Sequence, residues 1–113
     1  MGLAQLQLDR VSEAHANFAR ALDYRPGYWP THLNLGILEV TEGHKLKAIE
    51  HFRSVLDAKV GSGASAEASY RLGEVYVSLG RHDRAVKYFT AAVEESPHGR
   101  WGKQSEGYLR LLH

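Results

Sequence analysis

The sequence has no cysteine. That excludes a disulfide framework, a thiolate metal site and a cysteine nucleophile. No apolar run approaches the roughly 20 residues that span a bilayer, so membrane insertion is not expected. The N-terminus lacks the charged start and apolar core of a signal peptide. Neither sign of charge dominates: 14 basic residues face 13 acidic ones, for a formal net charge of +1. A phosphate-driven nucleic-acid binder shows a basic patch or stripe, so no nucleic-acid partner is expected. Strand patterns are nearly absent, because the β-branched residues fall singly on helical spacing. The compartment stays open, with a soluble, cytoplasmic setting as the default expectation.

What is present is repetition. "GLAQLQLDRVSEAHANFARALDYRP", "GILEVTEGHKLKAIEHFRSVLDAKV" and "GEVYVSLGRHDRAVKYFTAAVEESP" share one register. Each starts at a glycine: Gly2, Gly36, Gly73. Twelve residues on stands Ala14, Ala48 or Ala85, and four further Phe18, Phe52 or Phe89. Eight further stands Pro26, Val60 or Pro97. The glycine spacing is 34, then 37, then 34 to Gly107. The three extra residues are expected in "VGSGAS", a loop-like stretch.

Each unit reads as helix–turn–helix. Gly43 and Gly80 stand where a first helix should stop, since glycine takes the left-handed conformation that ends helices. Asp9 holds that slot in the first unit, where a turn is likewise expected. First helices are expected over 29–42 and 66–79, the latter capped by Ser65. Second helices are expected over 11–23, 45–58 and 82–95.

These residues carry a family resemblance. The third unit is similar to a tetratricopeptide repeat, W-x2-L-G-x2-Y…A-x3-F…P, through Leu72, Gly73, Tyr76, Ala85, Phe89 and Pro97, with Ser69 in place of tryptophan. The second keeps Leu35, Gly36, Ala48 and Phe52 but has His32, Glu39 and Val60 at the other places. The first keeps Gly2, Ala14, Phe18 and Pro26, with Met1 and Gln5 departing. The resemblance covers about residues 1–99. It implies an all-α, right-handed solenoid forming a single domain over 1–113. The units are about 1–28, 29–62 and 66–99, and 100–113 is a capping helix. It also implies close helix pairing, with Gly36 against Ala48 and Gly73 against Ala85, and Phe52 and Phe89 filling the space between units. A glycine inside a helix otherwise costs about 1 kcal/mol relative to alanine.

Both ends carry expectations. The first unit begins inside its first helix, so either the chain is cut from a longer array or that helix is short. Leu3, Leu6, Leu8 and Phe18 then lie near an end with little cover. A solenoid end needs a polar cap, and self-association into a homo-oligomer is expected without one. At the other end Trp101, Tyr108, Leu111 and Leu112 are expected to share the face that seals the last repeat.

No catalytic constellation stands out. His15, His32, His44, His51, His82, His98 and His113 form no i, i+3 or i, i+4 pair. Zinc holds its ligands at about 2.0–2.2 Å, so separate solvated histidines and no metal site are expected. "GSGAS" has neither a G-x-S-x-G elbow nor a phosphate-loop lysine. Glu94 and Glu95 are adjacent and so diverge on a helix. No enzyme activity and no cofactor are expected.

The remaining signal is on the first helices. Leu33, Ile37 and Val40 form a second apolar stripe beside the packing residues, and the matching slots one unit on are Tyr70, Glu74 and Val77. Asn34 and Arg71 are aligned in the same way. In the family that the chain resembles, first helices line a concave groove that binds peptides or partner helices. The resemblance therefore implies a partner-binding surface of Leu33, Asn34, Ile37, Val40, Tyr70, Arg71, Glu74 and Val77. Some relatives clamp a chaperone's C-terminal carboxylate with two lysines, two asparagines and an arginine. Asn34 and Arg71 fit that set, but Leu3 and Glu67 depart from it, and a leucine and an acid do not hold a carboxylate. The expected function is a non-catalytic protein–protein interaction module. The alternatives are a self-assembling module and a regulatory part of a larger protein.

Overall fold

A computed structural model describes residues 3–24 and 28–112, without the side chains of residues 3–9. The order is α1 (Leu3–Tyr24), α2 (Trp29–Thr41), α3 (Lys45–Asp57), α4 (Ser62–Ser78), α5 (His82–Glu95) and α6 (Arg100–Leu112). No strand occurs among the described residues. Gly2 and Pro26, two of the repeat's register positions, lie outside the described residues, as do the side chains of Leu3, Leu6 and Leu8.

Two glycines build the hairpins. Gly43 takes φ +83° and Gly80 φ +75°. After α2, the Gly43 amide donates to the Val40 carbonyl at 3.0 Å and the His44 amide to Glu39 at 2.8 Å. After α4 the same two bonds recur, Gly80 to Val77 at 3.0 Å and Arg81 to Tyr76 at 2.9 Å. This paired closure satisfies the last carbonyls of a helix and reverses the chain. It produces the α2/α3 and α4/α5 hairpins.

The first unit departs from expectation. No turn forms at Asp9, and no separate helix begins at residue 11; α1 runs unbroken for 22 residues. A left-handed residue with a Cβ costs roughly 1–2 kcal/mol, and no glycine or proline lies between Leu3 and Tyr24. The helix therefore continues through the slot where its two counterparts stop. The extra residues before the third unit also behave differently. They extend α4 at its start, so its first residue is Ser62 rather than Ala66. Ser65 is inside the helix, where its hydroxyl donates to the Val60 carbonyl at 3.2 Å.

The interior glycines are explained by phenylalanine rather than alanine. A Cβ on Gly36 would meet the Phe52 ring at 2.5 Å, and one on Gly73 the Phe89 ring at 2.5 Å. Each ring lies across its own unit's first helix and also faces the next unit, Phe52 lining the space between α2 and α4 and Phe89 stacking on Tyr108 of α6. Ala48 and Ala85 are fully buried beside them. Both phenylalanines belong to one continuous core shared by the two hairpins.

α6 closes this core with Trp101, Tyr108, Leu109 and Leu112. Leu111, expected on that face, is 83% exposed. Ten residues after Trp101, it stands about 80° around the helix from it.

Candidate functional site

The unit repeat aligns α2 with α4, so Ile37 and Glu74 hold equivalent positions 37 residues apart. Between these helices lies a cleft of about 290 Å³. Ile37, Val40 and Thr41 line it from α2, and Arg71, Glu74, Val75 and Ser78 from α4. Residues three and four apart share a helix face, and each set follows that spacing. Phe52 and Lys45 of α3 complete the lining. The lysine ammonium reaches across to the Ser78 carbonyl at 3.4 Å.

Four of the eight residues expected to bind a partner, Ile37, Val40, Arg71 and Glu74, therefore meet in this cleft. The others do not. Leu33 and Tyr70 are buried in the core, at 8% and 7% exposure. Val77 is half-buried and packs on the same core. Asn34 is exposed and outside the cleft lining.

Tyr70 was legible as an aromatic on the right helix, but α6 covers it. Trp101 packs on its ring at 5.3 Å and Tyr108 at 5.9 Å. The Tyr70 and Tyr108 hydroxyls both donate to one Glu74 carboxylate oxygen, each at 3.1 Å. Burial, reinforced by that carboxylate, pushes both phenols above the ordinary tyrosine range. They stay protonated and serve as donors. Glu74 thus ties α6 to α4. Tyr108→Phe removes one of these bonds to a charged group, and a stability loss of about 1.5 kcal/mol is expected. Urea unfolding measures the loss, and faster amide exchange should be confined first to α6.

Arg71 is already partnered. Its guanidinium meets Glu67 at 3.3 Å and lies 5.2 Å from the centre of the Trp101 ring. Glu67, which stands where a carboxylate clamp has lysine, supplies an internal carboxylate instead. Such a half-exposed i, i+4 pair is worth only about 0.3–0.5 kcal/mol, so it orients Arg71 without consuming it.

Comparison with known proteins decides the family. The tetratricopeptide repeat profile matches residues 1–59 and again residues 33–100. The chain belongs to the tetratricopeptide repeat family. An outer membrane protein assembly factor, BamD of Rickettsia prowazekii (strain Madrid E), is 34% identical over 67 residues, 59% of this chain. The chain spans only 27% of that relative's length. The crystal structure of MamA aligns over 99% of this chain and 88% of its own, with 21% identity and a TM-score of 0.45. No helix among the described residues is long and apolar enough to cross a membrane.

The tetratricopeptide frame also exposes a feature that the sequence reading passed over. Glu39 takes the slot that Tyr76 fills in the third unit, and like that tyrosine it is buried, at 5% exposure. Its carboxylate meets the His44 Nδ1 at 2.8 Å and the His15 Nδ1 at 3.6 Å. His15 Nε2 lies 2.5 Å from Glu42. Alongside, His32 and His51 approach Nδ1 to Nδ1 at 3.1 Å. Burial, then the neighbouring His32, lowers the His51 pKa. Four of the histidines expected to be separate thus meet in two groups along α2, His32 with His51, and His15 and His44 about Glu39 at its end. Spacing along one helix could not reveal this, because they come from α1, α2, the turn and α3. An acid at a position that is tyrosine one unit later was the available signal.

Proposed function

We propose that this tetratricopeptide repeat chain is a non-catalytic interaction module whose α2–α4 cleft receives an extended segment of a partner protein. The observation supporting this is the convergence of Ile37, Val40, Arg71 and Glu74 on one cleft. Its floor is apolar, through Ile37, Val40, Val75 and Phe52, while Lys45 and Arg71 supply two cations. That chemistry suits a segment with an aliphatic side chain beside a carboxylate or a free backbone carbonyl. The assembly-factor relative accords with a role among other polypeptides.

Peptides selected on the chain from a random displayed library provide the test. Val40→Glu and Arg71→Ala should each weaken the selected peptides by about 1–3 kcal/mol. Lys47→Ala and Arg84→Ala, on exposed positions of α3 and α5, should change little. Circular dichroism checks that each variant folds. Tyr70 is a poor probe because its removal damages the core. Binding lost in the α3 and α5 variants but kept in the cleft variants would move the site to the opposite face.

Self-assembly is supported by a separate observation. From Arg10 to Tyr24, no residue of α1 is fully buried, and Phe18 is only half-covered. An isologous dimer through that helix is the commonest closed arrangement. Sedimentation of wild type and Phe18→Glu over a range of concentrations reads it directly. A regulatory part of a larger protein is the third setting, consistent with the short span of the matched relative.

A further inference from the structure

We propose that His15, Glu39, Glu42 and His44 form a binding site for one divalent transition-metal ion, with zinc the best fit, which clips α1 to the end of α2.

The fold brings these four together from three places. His15 is on α1, Glu39 is on α2, and Glu42 and His44 flank Gly43 in the turn. Glu39 and Glu42 are three apart at the helix end and so share a face. His44 would point away if the helix continued. The left-handed Gly43 turns the chain back, so the His44 amide bonds the Glu39 carbonyl and its ring meets the Glu39 carboxylate.

The separations fit a small cation. Donor atoms of His15, Glu39 and Glu42 all lie within 4.8 Å of one another. His44 Nδ1 stands 2.8 Å from Glu39 and 3.7 Å from Glu42. A tetrahedral zinc site with bonds of about 2.0–2.2 Å holds its donors roughly 3.3–3.6 Å apart. Side-chain rotation draws the His15, Glu39 and Glu42 donors in from within 4.8 Å and brings His44, which already meets both carboxylates, to the same ion. Two imidazoles with two carboxylates are a donor set suited to zinc rather than to calcium or magnesium, which prefer all-oxygen shells. Both His15 ring nitrogens face a carboxylate, Nδ1 toward Glu39 and Nε2 toward Glu42.

Charge argues the same way. Glu39 is a buried carboxylate, and all of the ion-pair contacts of Glu39 and Glu42 among the described residues are to imidazoles. A metal-bound imidazole is neutral. A dication between two neutral imidazoles and two carboxylates leaves the site with no net charge. The gain falls where the fold is thinnest. α1 packs chiefly on α2, and His15 and Glu42 are 27 residues apart in sequence, so one ion closes a long connection.

The test is titration of the metal-stripped chain with zinc chloride by calorimetry, and with cobalt chloride by visible absorption. The expected result is about one ion per chain, with the intense bands of tetrahedral cobalt. Glu42→Gln and His44→Gln alter partly exposed side chains, so the fold should persist, and each should weaken zinc at least about tenfold. The His15→Gln/Glu39→Gln double variant should abolish the cobalt bands. His82→Gln and His98→Gln, at exposed positions elsewhere, should leave affinity unchanged. Zinc binding that is absent, or that persists undiminished in Glu42→Gln and His44→Gln, overturns the proposal and leaves the cluster as a network of imidazole–carboxylate hydrogen bonds.

Discussion

Gly73→Leu should destabilise the chain by about 3 kcal/mol, the upper part of the overpacking range. Three Phe89 ring atoms lie within 2.7 Å of where the new Cβ would stand. The ring has nowhere to go. It is fully buried, stacked on Tyr108 at 4.6 Å with an interplanar angle of 8°, and 6.0 Å from Tyr70. Any shift must displace α6 or separate α4 from α5. Because the clash begins at the Cβ, Gly73→Ala already tests it on a smaller scale. The Gly73→Ala cost should shrink when Phe89→Leu is also present, since the two sites share one volume and their effects cannot add independently. Urea melts of the four proteins in that cycle measure the coupling. A Gly73→Leu protein as stable as wild type would show that the glycine is incidental.

Phe52→Ala should cost about 3–5 kcal/mol, the usual loss for truncating a fully buried phenylalanine. Phe52 is buried at 0% exposure and covers Gly36, so its removal leaves a void that the backbone of α2 cannot fill. It also forms part of the cleft floor. The variant should therefore combine a lower melting temperature with weaker capture of cleft-binding peptides. Phe18→Ala, at the corresponding position of the first unit, removes a half-exposed ring and should cost markedly less. Equal losses at both positions would mean that α1 is packed as firmly as the hairpins. Thermal denaturation of the two variants side by side decides it, since each kcal/mol moves the midpoint of a domain this size by about 4–8 °C.

The local grammar of this protein was written in its residues. The 34- and 37-residue periods, the stops at Gly43 and Gly80, and α5 at 82–95 follow from helical spacing and from the backbone freedom of glycine. These depend on neighbours along the chain, which a sequence displays. The meeting of Ile37, Val40, Arg71 and Glu74 in one cleft was legible for the same reason, because it is set by face and register. Only the tertiary structure decided the rest. Asp9 marks a turn by analogy, yet a Cβ resists the left-handed state, so α1 runs on. The three extra residues look like a loop, yet they lengthen α4. Tyr70 lies on the right helix, but α6 arrives from more than 30 residues away to bury it, and Tyr108 claims Glu74. The Phe89 ring, not Ala85, explains Gly73, because which side chain reaches across a hairpin depends on how the two helices cross. The histidine–glutamate cluster is the largest such gain. Its members lie on separate elements, and their proximity exists only once α1, α2 and α3 have packed.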